Sequence, residues 1–464
     1  LGNGKGGIVL DINKVHIVGI GGISMSGIAK ILLSKGYKVS GSDIKKNEQT
    51  DILKNKGADI HIGHQESNLK NVDVLVYTNA VDENNIELQK AQRENIKIYK
   101  RAEFIAELFK NKETIAVTGT HGKTTTTSMI SSIFIDSNLD PSIMIGGNLD
   151  IIDGNMKDGN GKYFITEADE SDGSLTYFNP KHAVITNIEL DHFNYYKSEE
   201  ALINKFKEFV NKISKQGSLI IWGKVLEDYP QLKEVITNYY SYGFNDEYFS
   251  AKNIKLDSYK SSFDLYINGK KADKITLNVP GKHNVLNTLA AYAISHIVKM
   301  DKEDIKKGLF KYKGVKRRFE KKGKFNNALI IDDYAHHPTE IITTIETACR
   351  TKPEKLYIVF QPHRYSRTAN LMEEFSKSFD MADELILTDI YSASEVPIEN
   401  INSQKLYDLI QKRISNQELK LKVRYMSDFR KIEGYLSQKL KSKDLLLTIG
   451  AGNVYEIGET LAGG

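Results

Sequence analysis

The sequence predicts an α/β protein of three domains, each built on a largely parallel sheet. Three observations carry this. A strand, a glycine turn and a helix open the readable chain at residues 15–32; a second such unit, ending in Gly-Lys-Thr, lies at residues 113–127; and from residue 329 onward strands alternate with helical stretches. At 464 residues the chain exceeds a single core, and roughly 150 residues per domain gives three. The pattern places them at 1–110, 111–313 and 314–464.

In the first segment, Val15 to Val18 reads as a strand and Gly19-Ile20-Gly21-Gly22 as a turn, followed by a helix with Met25, Ile28 and Leu32 on one face. A second strand near Tyr37 to Ser40 ends at Ser42-Asp43, about twenty residues past the glycines, where Rossmann proteins place an acid on a ribose. Apolar runs at Val72 to Tyr77 and Ile96 to Tyr99 continue the pattern, which makes this domain Rossmann-like. The middle segment continues through strands at Tyr163 to Thr166 and Ala183 to Asn187 to a long helix at Asn284 to Val298. Between Ser218 and Val279 short alternating stretches with Asn and Gly turns predict hairpins or edge strands. The third segment repeats strand then helix at Leu329 to Asp332, Leu356 to Phe360, Leu385 to Thr388 and Leu445 to Ile449, a second Rossmann-like pattern.

Hydrophobic residues at 40% and charged residues at 27% suit a soluble globular protein. A net charge of +4 is too small to argue for nucleic acid or a membrane surface, so small-molecule partners are expected. No apolar run reaches bilayer length, and the glycine-rich residues 1–7 read as a flexible end without a signal peptide's apolar core. Cys349 follows Ile341, Ile345 and Ala348 at helical spacing and reads as a core thiol. One cysteine cannot form an intrachain disulfide, which fits a reducing cytoplasm.

The chemistry gathers at strand ends. Gly119-Thr120-His121-Gly122-Lys123-Thr124-Thr125 reads as a phosphate cradle, in which backbone amides and Lys123 meet phosphates and the Thr124 hydroxyl can ligate Mg²⁺. Val117 stands where the general pattern has its first glycine, so the loop is short. Glu167-Ala168-Asp169-Glu170-Ser171-Asp172 closes a strand with carboxylates that repel one another unless a cation is present; the alternative is a solvated acidic loop. His192, after Thr186-Asn187-Ile188-Glu189-Leu190-Asp191, reads equally as a second metal ligand or a satisfied surface histidine. Asn284 at a helix start reads in isolation as a cap. In the third segment lie Arg317-Arg318-Phe319-Glu320, Asp333-Tyr334-Ala335-His336-His337-Pro338 and Gln361-Pro362-His363-Arg364-Tyr365-Ser366-Arg367, with Gly450-Ala451-Gly452-Asn453 completing the rim. Pro338 suits the first turn of a helix. Arg364 and Arg367, three apart, are expected to grip a carboxylate or phosphate together.

Taken in order from Val15 to Val454, these motifs closely resemble the Mur ligase family, and within it the ligases that act on UDP-N-acetylmuramate and L-alanine. The resemblance implies an ATP-dependent enzyme of peptidoglycan precursor synthesis, and hence of cell-wall biogenesis, cell shape and cell division. It would join L-alanine to the lactoyl carboxylate through an acyl phosphate, in the cytoplasm, as a monomer or weak homodimer. It implies further that Gly21, Gly22, Ser42, Asp43, His61, His64 and Arg101 line the nucleotide-sugar pocket. Gly119, Thr120, His121, Gly122, Lys123, Thr124, Thr125, Asn284, Asn287 and Arg318 would contact ATP, while Thr124, Glu167 and His192 would hold Mg²⁺. Tyr334, His336, His363, Arg364 and Arg367 would face the acyl substrate and alanine. Lys123, His192, Arg318, His336 and Arg364 would serve catalysis, with His192 or His336 as base for the amine. The family pattern has an acid where Asn194 stands here.

Three rivals are distinguishable. A recycling ligase of the same family, adding a whole tripeptide, carries a cysteine in the first glycine turn and lacks the pattern at 361–367. A nicotinamide oxidoreductase meets Ser24 where its third glycine belongs and has no use for a Gly-Lys-Thr loop. A nucleotide-dependent binding module would turn ATP over without needing an amino acid.

Overall fold

A computed structural model describes residues 12–193 and 195–463; residues 1–7 and Asn194, singled out above, lie outside the described residues. Three sheets organise the chain. The first is fully parallel, with strands Asp59–Ile62, Lys38–Asp43, Lys14–Val18, Val74–Tyr77 and Lys97–Lys100 in spatial order. Its order reverses beside Lys14–Val18, and the glycine turn Gly19–Gly22 and helix Ile23–Ser34 leave that strand's carboxyl end, where such sheets bind ligands.

The central sheet has ten strands. Glu113–Thr118 lies in its middle, between His182–Ile185 and Tyr163–Glu167, parallel to both, and is almost wholly buried. A strand covered on both faces has no reason to alternate, hence the run Thr-Ile-Ala-Val-Thr. The helix that follows, Lys123–Asp136, is buried nearly all round against helices Lys282–Ile297 and Lys302–Lys311. Two of its polar side chains bond back into the helix: the Ser128 and Ser131 hydroxyls donate to the carbonyls of Thr124 and Thr127 at 2.7 and 2.8 Å.

The hairpins expected across Ser218 to Val279 begin later than predicted. Ser218–Trp222 and Tyr239–Gly243 extend the parallel sheet, and only Phe249–Leu256, Ser261–Ile267 and Lys270–Leu277 form an antiparallel meander. The third sheet has six strands, of which Glu320–Phe325 alone runs antiparallel. That strand and the opposite edge, Lys422–Tyr425, escape sequence reading because an edge strand tolerates charge on both faces, as Lys-Lys-Gly-Lys shows. Cys349 ends helix Pro338–Cys349 half-buried against the carboxyl-terminal core.

Cores and domains do not coincide one to one. Most apolar residues of the first domain and those on one face of the central sheet form a single cluster that includes Phe109 and Phe164, while Val18, Leu69, Leu75 and Leu88 pack in a separate one. The Phe109 and Phe164 rings stack at 4.1 Å. Truncation to Phe109→Ala should therefore cost about 3–5 kcal/mol and lower the urea midpoint of the amino-terminal and central domains together; separate unfolding of the two would contradict a shared core.

Candidate active site

The phosphate loop is held from beneath by the end of the neighbouring strand. His121 donates its backbone N–H to Asn187 Oδ1 at 2.8 Å, and Asn187 Nδ2 donates back to the His121 carbonyl at 2.9 Å. Thr186 Oγ1 donates to the same carbonyl at 2.6 Å. Glycine is obligatory at Gly119: with φ at +130°, a Cβ there would stand 2.2 Å from Thr186 Oγ1. Gly122, at φ +81°, precedes the helix, and a Cβ would meet Asn287 Oδ1 at 2.7 Å.

Lys123 turns inward. Its ammonium reaches Glu170 Oε2 and the Gly119 carbonyl, each at 2.6 Å. Burial works against its charge, but the carboxylates of Glu170 and Asp169 outweigh that and raise its pKa. Thr124 Oγ1 lies 3.2 Å from Glu167 Oε2, and Glu167 also accepts from the Gly146 amide at 2.6 Å. Burial dominates at Glu167 and pushes its pKa upward. His192 Nε2 stands 3.4 Å from Glu170 Oε1, an oxygen that is buried without a hydrogen-bond partner. The acidic stretch is thus a largely buried cluster, not a solvated loop.

Beside the loop opens a cavity of about 430 Å³ whose lining comes from two domains. The central domain supplies His121, Gly122, Thr125, Asn187, Asn284, Asn287 and an apolar wall of Trp222, Tyr242, Phe244, Val279 and Tyr312; the third contributes Arg318, Asp333, Thr339 and Glu340. Asn284 is not the cap its position suggests. Helix Lys282–Ile297 begins after Gly281 without a side-chain cap, and Asn284 reaches back into the interior to donate to the Pro280 carbonyl at 2.6 Å.

Across this cavity the domains meet through charge. His121 Nδ1 lies 3.1 Å from Glu340 Oε1 and its Nε2 3.2 Å from Glu189 Oε2, while Thr339 Oγ1 donates to Glu189 at 2.9 Å. Burial opposes a charge on His121, but the Glu340 and Glu189 carboxylates outweigh it and push its pKa up to about 9. His121, Glu189 and His337 group three potential metal ligands, and the raised pKa of His121 puts a proton between its ring and the two carboxylates. A second tie is the fork of Arg367, which donates from Nε and Nη2 to Asp191 at 3.1 and 2.9 Å, both side chains buried. Burial would raise the Asp191 pKa, but Arg367 holds it well below the usual carboxylate range.

All three segments of the chain match models of one family: "Mur ligase family, catalytic domain" over residues 14–113, "Mur ligase middle domain" over 117–295 and "Mur ligase, glutamate ligase domain" over 317–452. The chain belongs to the Mur ligase family. A UDP-N-acetylmuramate--L-alanine ligase of Clostridium acetobutylicum is 47% identical over 448 residues, covering 96% of each chain. One of Clostridium botulinum (strain Okra / Type B1) is 45% identical over 454 residues, covering 97% of this chain and 98% of the other. The crystal structure of a UDP-N-acetylmuramate-alanine ligase from Thermotoga maritima superposes with a TM-score of 0.81 at 28% identity, over 97% of this chain and 98% of that one. A murein peptide ligase from Psychrobacter arcticus, at TM-score 0.69 and 24% identity over 97% and 98% of the two chains, shares the fold.

In this Mur ligase the expected pairing of Arg364 with Arg367 does not occur. Arg364, at φ +71°, is partly exposed beside Glu395 at 3.7 Å, whereas Arg367 turns inward to Asp191 and approaches His363 Nδ1 at 3.2 Å. One is therefore available to ligand and the other braces the site. Tyr334 packs under Arg318, and His336 donates from Nδ1 to the Tyr334 carbonyl at 3.1 Å, since a carbonyl only accepts. Burial lowers the pKa of His336 well below its ordinary value, and burial with Arg367 brings that of His363 to about 3.

In the first domain Asp43 accepts from the Gly21 amide at 2.9 Å and Gly22 precedes helix Ile23–Ser34, so the acid expected on a ribose also pins the turn. Ser42, His64 and, through strand pairing with Ser42, His61 sit together. Arg101 lines a smaller cavity of about 100 Å³ with Asn79 and Asp172, and Asn79 donates to Asp172 at 2.5 Å across the domain boundary. Sequence reasoning left Glu189, His337, Glu340, Asp191 and Glu87 out of the site. Glu189, His337 and Asp191 sit inside the motifs quoted above and Glu340 two residues past one of them, but each meets a group from another domain.

The His121 junction sets a pH dependence. Its proton is bound more tightly in the folded protein, so its stabilisation is complete below about 6.5 and is lost as pH rises through about 9. Thermal unfolding followed from pH 7 to 10 should fall more steeply in the unmodified protein than in His121→Gln; parallel curves would refute the assignment.

Proposed function

We propose that this Mur ligase joins L-alanine to the lactoyl carboxylate of UDP-N-acetylmuramate at the expense of ATP, supplying peptidoglycan precursor. The observation that carries this reading is the position of the phosphate loop. Its cavity is walled by the central and third domains, and the acidic cluster beside it is tied to the first through Asn79 and Asp172. A chain 45–47% identical to ligases of that name over almost its whole length is expected to share their substrates. We divide the chain at 1–110 for the nucleotide sugar, 111–313 for ATP and 314–464 for the amino acid.

In this reading the aromatic wall of Trp222, Tyr242 and Phe244 receives the adenine, Asn284 and Asn287 face the nucleoside, and the amides of Gly119 to Thr125 close around the phosphates. Lys123 leaves Glu170 for the β and γ groups. The residues at Thr124, Glu167, Glu170 and His192 fit Mg²⁺: a hydroxyl 3.2 Å from a buried carboxylate, and a second carboxylate oxygen buried without a partner, make an oxygen-rich site short of positive charge. Bound there, Mg²⁺ would screen the triphosphate from the approaching carboxylate and stabilise the transferring phosphoryl group.

The lactoyl carboxylate oxygen attacks the γ-phosphorus and ADP leaves; the alanine nitrogen then attacks the acyl carbon and inorganic phosphate leaves. Arg318, largely buried in the cavity wall, offers its guanidinium to the anionic phosphates. Arg364 is free to meet the alanine carboxylate. His336 holds its proton at Nδ1, which leaves Nε2 to accept one from the alanine ammonium. The oligomeric state in this reading is a monomer or weak homodimer. Among the described residues no helix is long and apolar enough to cross a membrane. With its single cysteine and ATP as energy source, the protein is assigned to the cytoplasm.

A coupled ADP assay with UDP-N-acetylmuramate and each amino acid in turn tests the reading. L-Alanine should stimulate release; stimulation by a tripeptide alone, or by no amino acid, would overturn it. Lys123→Ala should lower turnover by on the order of a hundredfold or more. Chelation by EDTA should abolish ADP release and added Mg²⁺ restore it, and activity persisting in EDTA would remove the metal from the scheme.

A further inference from the structure

We infer that Glu87 is a positioning residue for the uridine nucleotide: through Ser42 it fixes the tautomer in which His64 offers a ring-nitrogen acceptor to a hydrogen-bond donor of the ligand. The inference rests on the nucleotide-sugar pocket proposed around Ser42 and His64.

Glu87 lies fully buried in the first turn of helix Ile86–Arg93. Its two oxygens have separate partners. Oε1 accepts from Asn68 Nδ2 at 2.6 Å and from the Gln65 amide at 3.3 Å, which holds the loop after strand Asp59–Ile62 in place. Oε2 accepts from Ser42 Oγ at 2.5 Å. A carboxylate cannot donate, so the single Ser42 proton is spent on Glu87. His64 Nδ1 lies 2.9 Å from the same Ser42 oxygen and 3.4 Å from Glu87 Oε2. Both neighbours now only accept, so Nδ1 carries the proton and Nε2 has a free lone pair. The His64 side chain is 21% exposed, and among the described residues Nε2 has no protein partner.

No lysine or arginine among the described residues pairs with Glu87; its other neighbour is buried His16, whose Nε2 stands 3.5 Å from Oε2 and whose pKa is lowered by burial. Burial would raise the Glu87 pKa, but the contacts from His16 and Ser42 outweigh it and bring it to about 2, so the carboxylate is ionised and accepts. The shared chemistry of the ligand group is a donor, met in a uridine nucleotide by the imide N–H or by a ribose hydroxyl.

Glu87→Gln reverses the relay with little change of shape. Asn68 and Gln65 donate, so the variant's amide oxygen must face them and its NH₂ must face Ser42. Ser42 then donates to His64 Nδ1, and the proton moves to Nε2. Nitrogen-15 spectra of histidine-labelled full-length protein should show His64 protonated at Nδ1 in the unmodified chain and at Nε2 in E87Q. UDP should bind E87Q about tenfold more weakly, with ATP affinity unchanged as the check on folding. Of N3-methyl-UDP and 2′-deoxy-UDP, the one that removes the donor should lose about tenfold in the unmodified protein and little further in E87Q. An Nε2–H tautomer in the unmodified protein, or UDP affinity within twofold in E87Q, would overturn the relay. UDP affinity unaffected by His64→Ala would instead show that the pocket itself is misplaced.

Discussion

The structure depends on one electrostatic constraint: a lysine is kept charged in the interior among carboxylates, at the turn proposed to hold the triphosphate. Lys123 satisfies this by sitting on Glu170 at 2.6 Å, with the Gly119 carbonyl as second acceptor. Removing either partner of such a buried pair leaves an uncompensated charge. The strand Glu113–Thr118 is covered on both faces, and the helix it feeds is buried almost all round.

The same constraint shapes the interfaces. The third domain meets the central one through Glu340 on His121 and through Arg367 on Asp191. Every one of these contacts lies on or beside the phosphate loop or the strand end under it. In the proposed reading, an anionic nucleotide at this loop would act directly on the groups that hold the third domain against the central one. Between the first and central domains the contact is of another kind, a shared apolar core around Phe109 and Phe164 with polar ties from Asn79 to Asp172 and from Lys35 to Asp158. An apolar interface of this sort resists rotation, whereas a hydrogen-bonded one can re-form in more than one arrangement.

Much was legible before the fold was known because it is local. The turn at Gly19–Gly22, the phosphate loop and the acidic strand end each need particular residues within a few positions of one another, and Gly119 and Gly122 are required by backbone conformation alone. Strands buried on both faces announced themselves as apolar runs. The edge strands Glu320–Phe325 and Lys422–Tyr425 did not, since half their surface faces water and their charges hide the pattern. The parallel strands Ser218–Trp222 and Tyr239–Gly243 fall in the stretch expected to hold hairpins or edge strands, because short apolar segments between polar turns look alike in either setting.

The sequence by itself determined the α/β class, the glycine turn between strand Glu113–Thr118 and helix Lys123–Asp136, and the family, because these rest on short spacings and on the periodicity of burial. Only the tertiary structure decided which charges meet. It set Arg367 on Asp191 apart from Arg364, turned Asn284 from a helix cap into an interior donor, and made Glu189, Glu340 and Glu87 partners of residues far along the chain. The physical reason is that a hydrogen bond or ion pair acts over about 3 Å, and which groups come that close, within a domain or between two, is set by how the chain folds and not by their spacing along it.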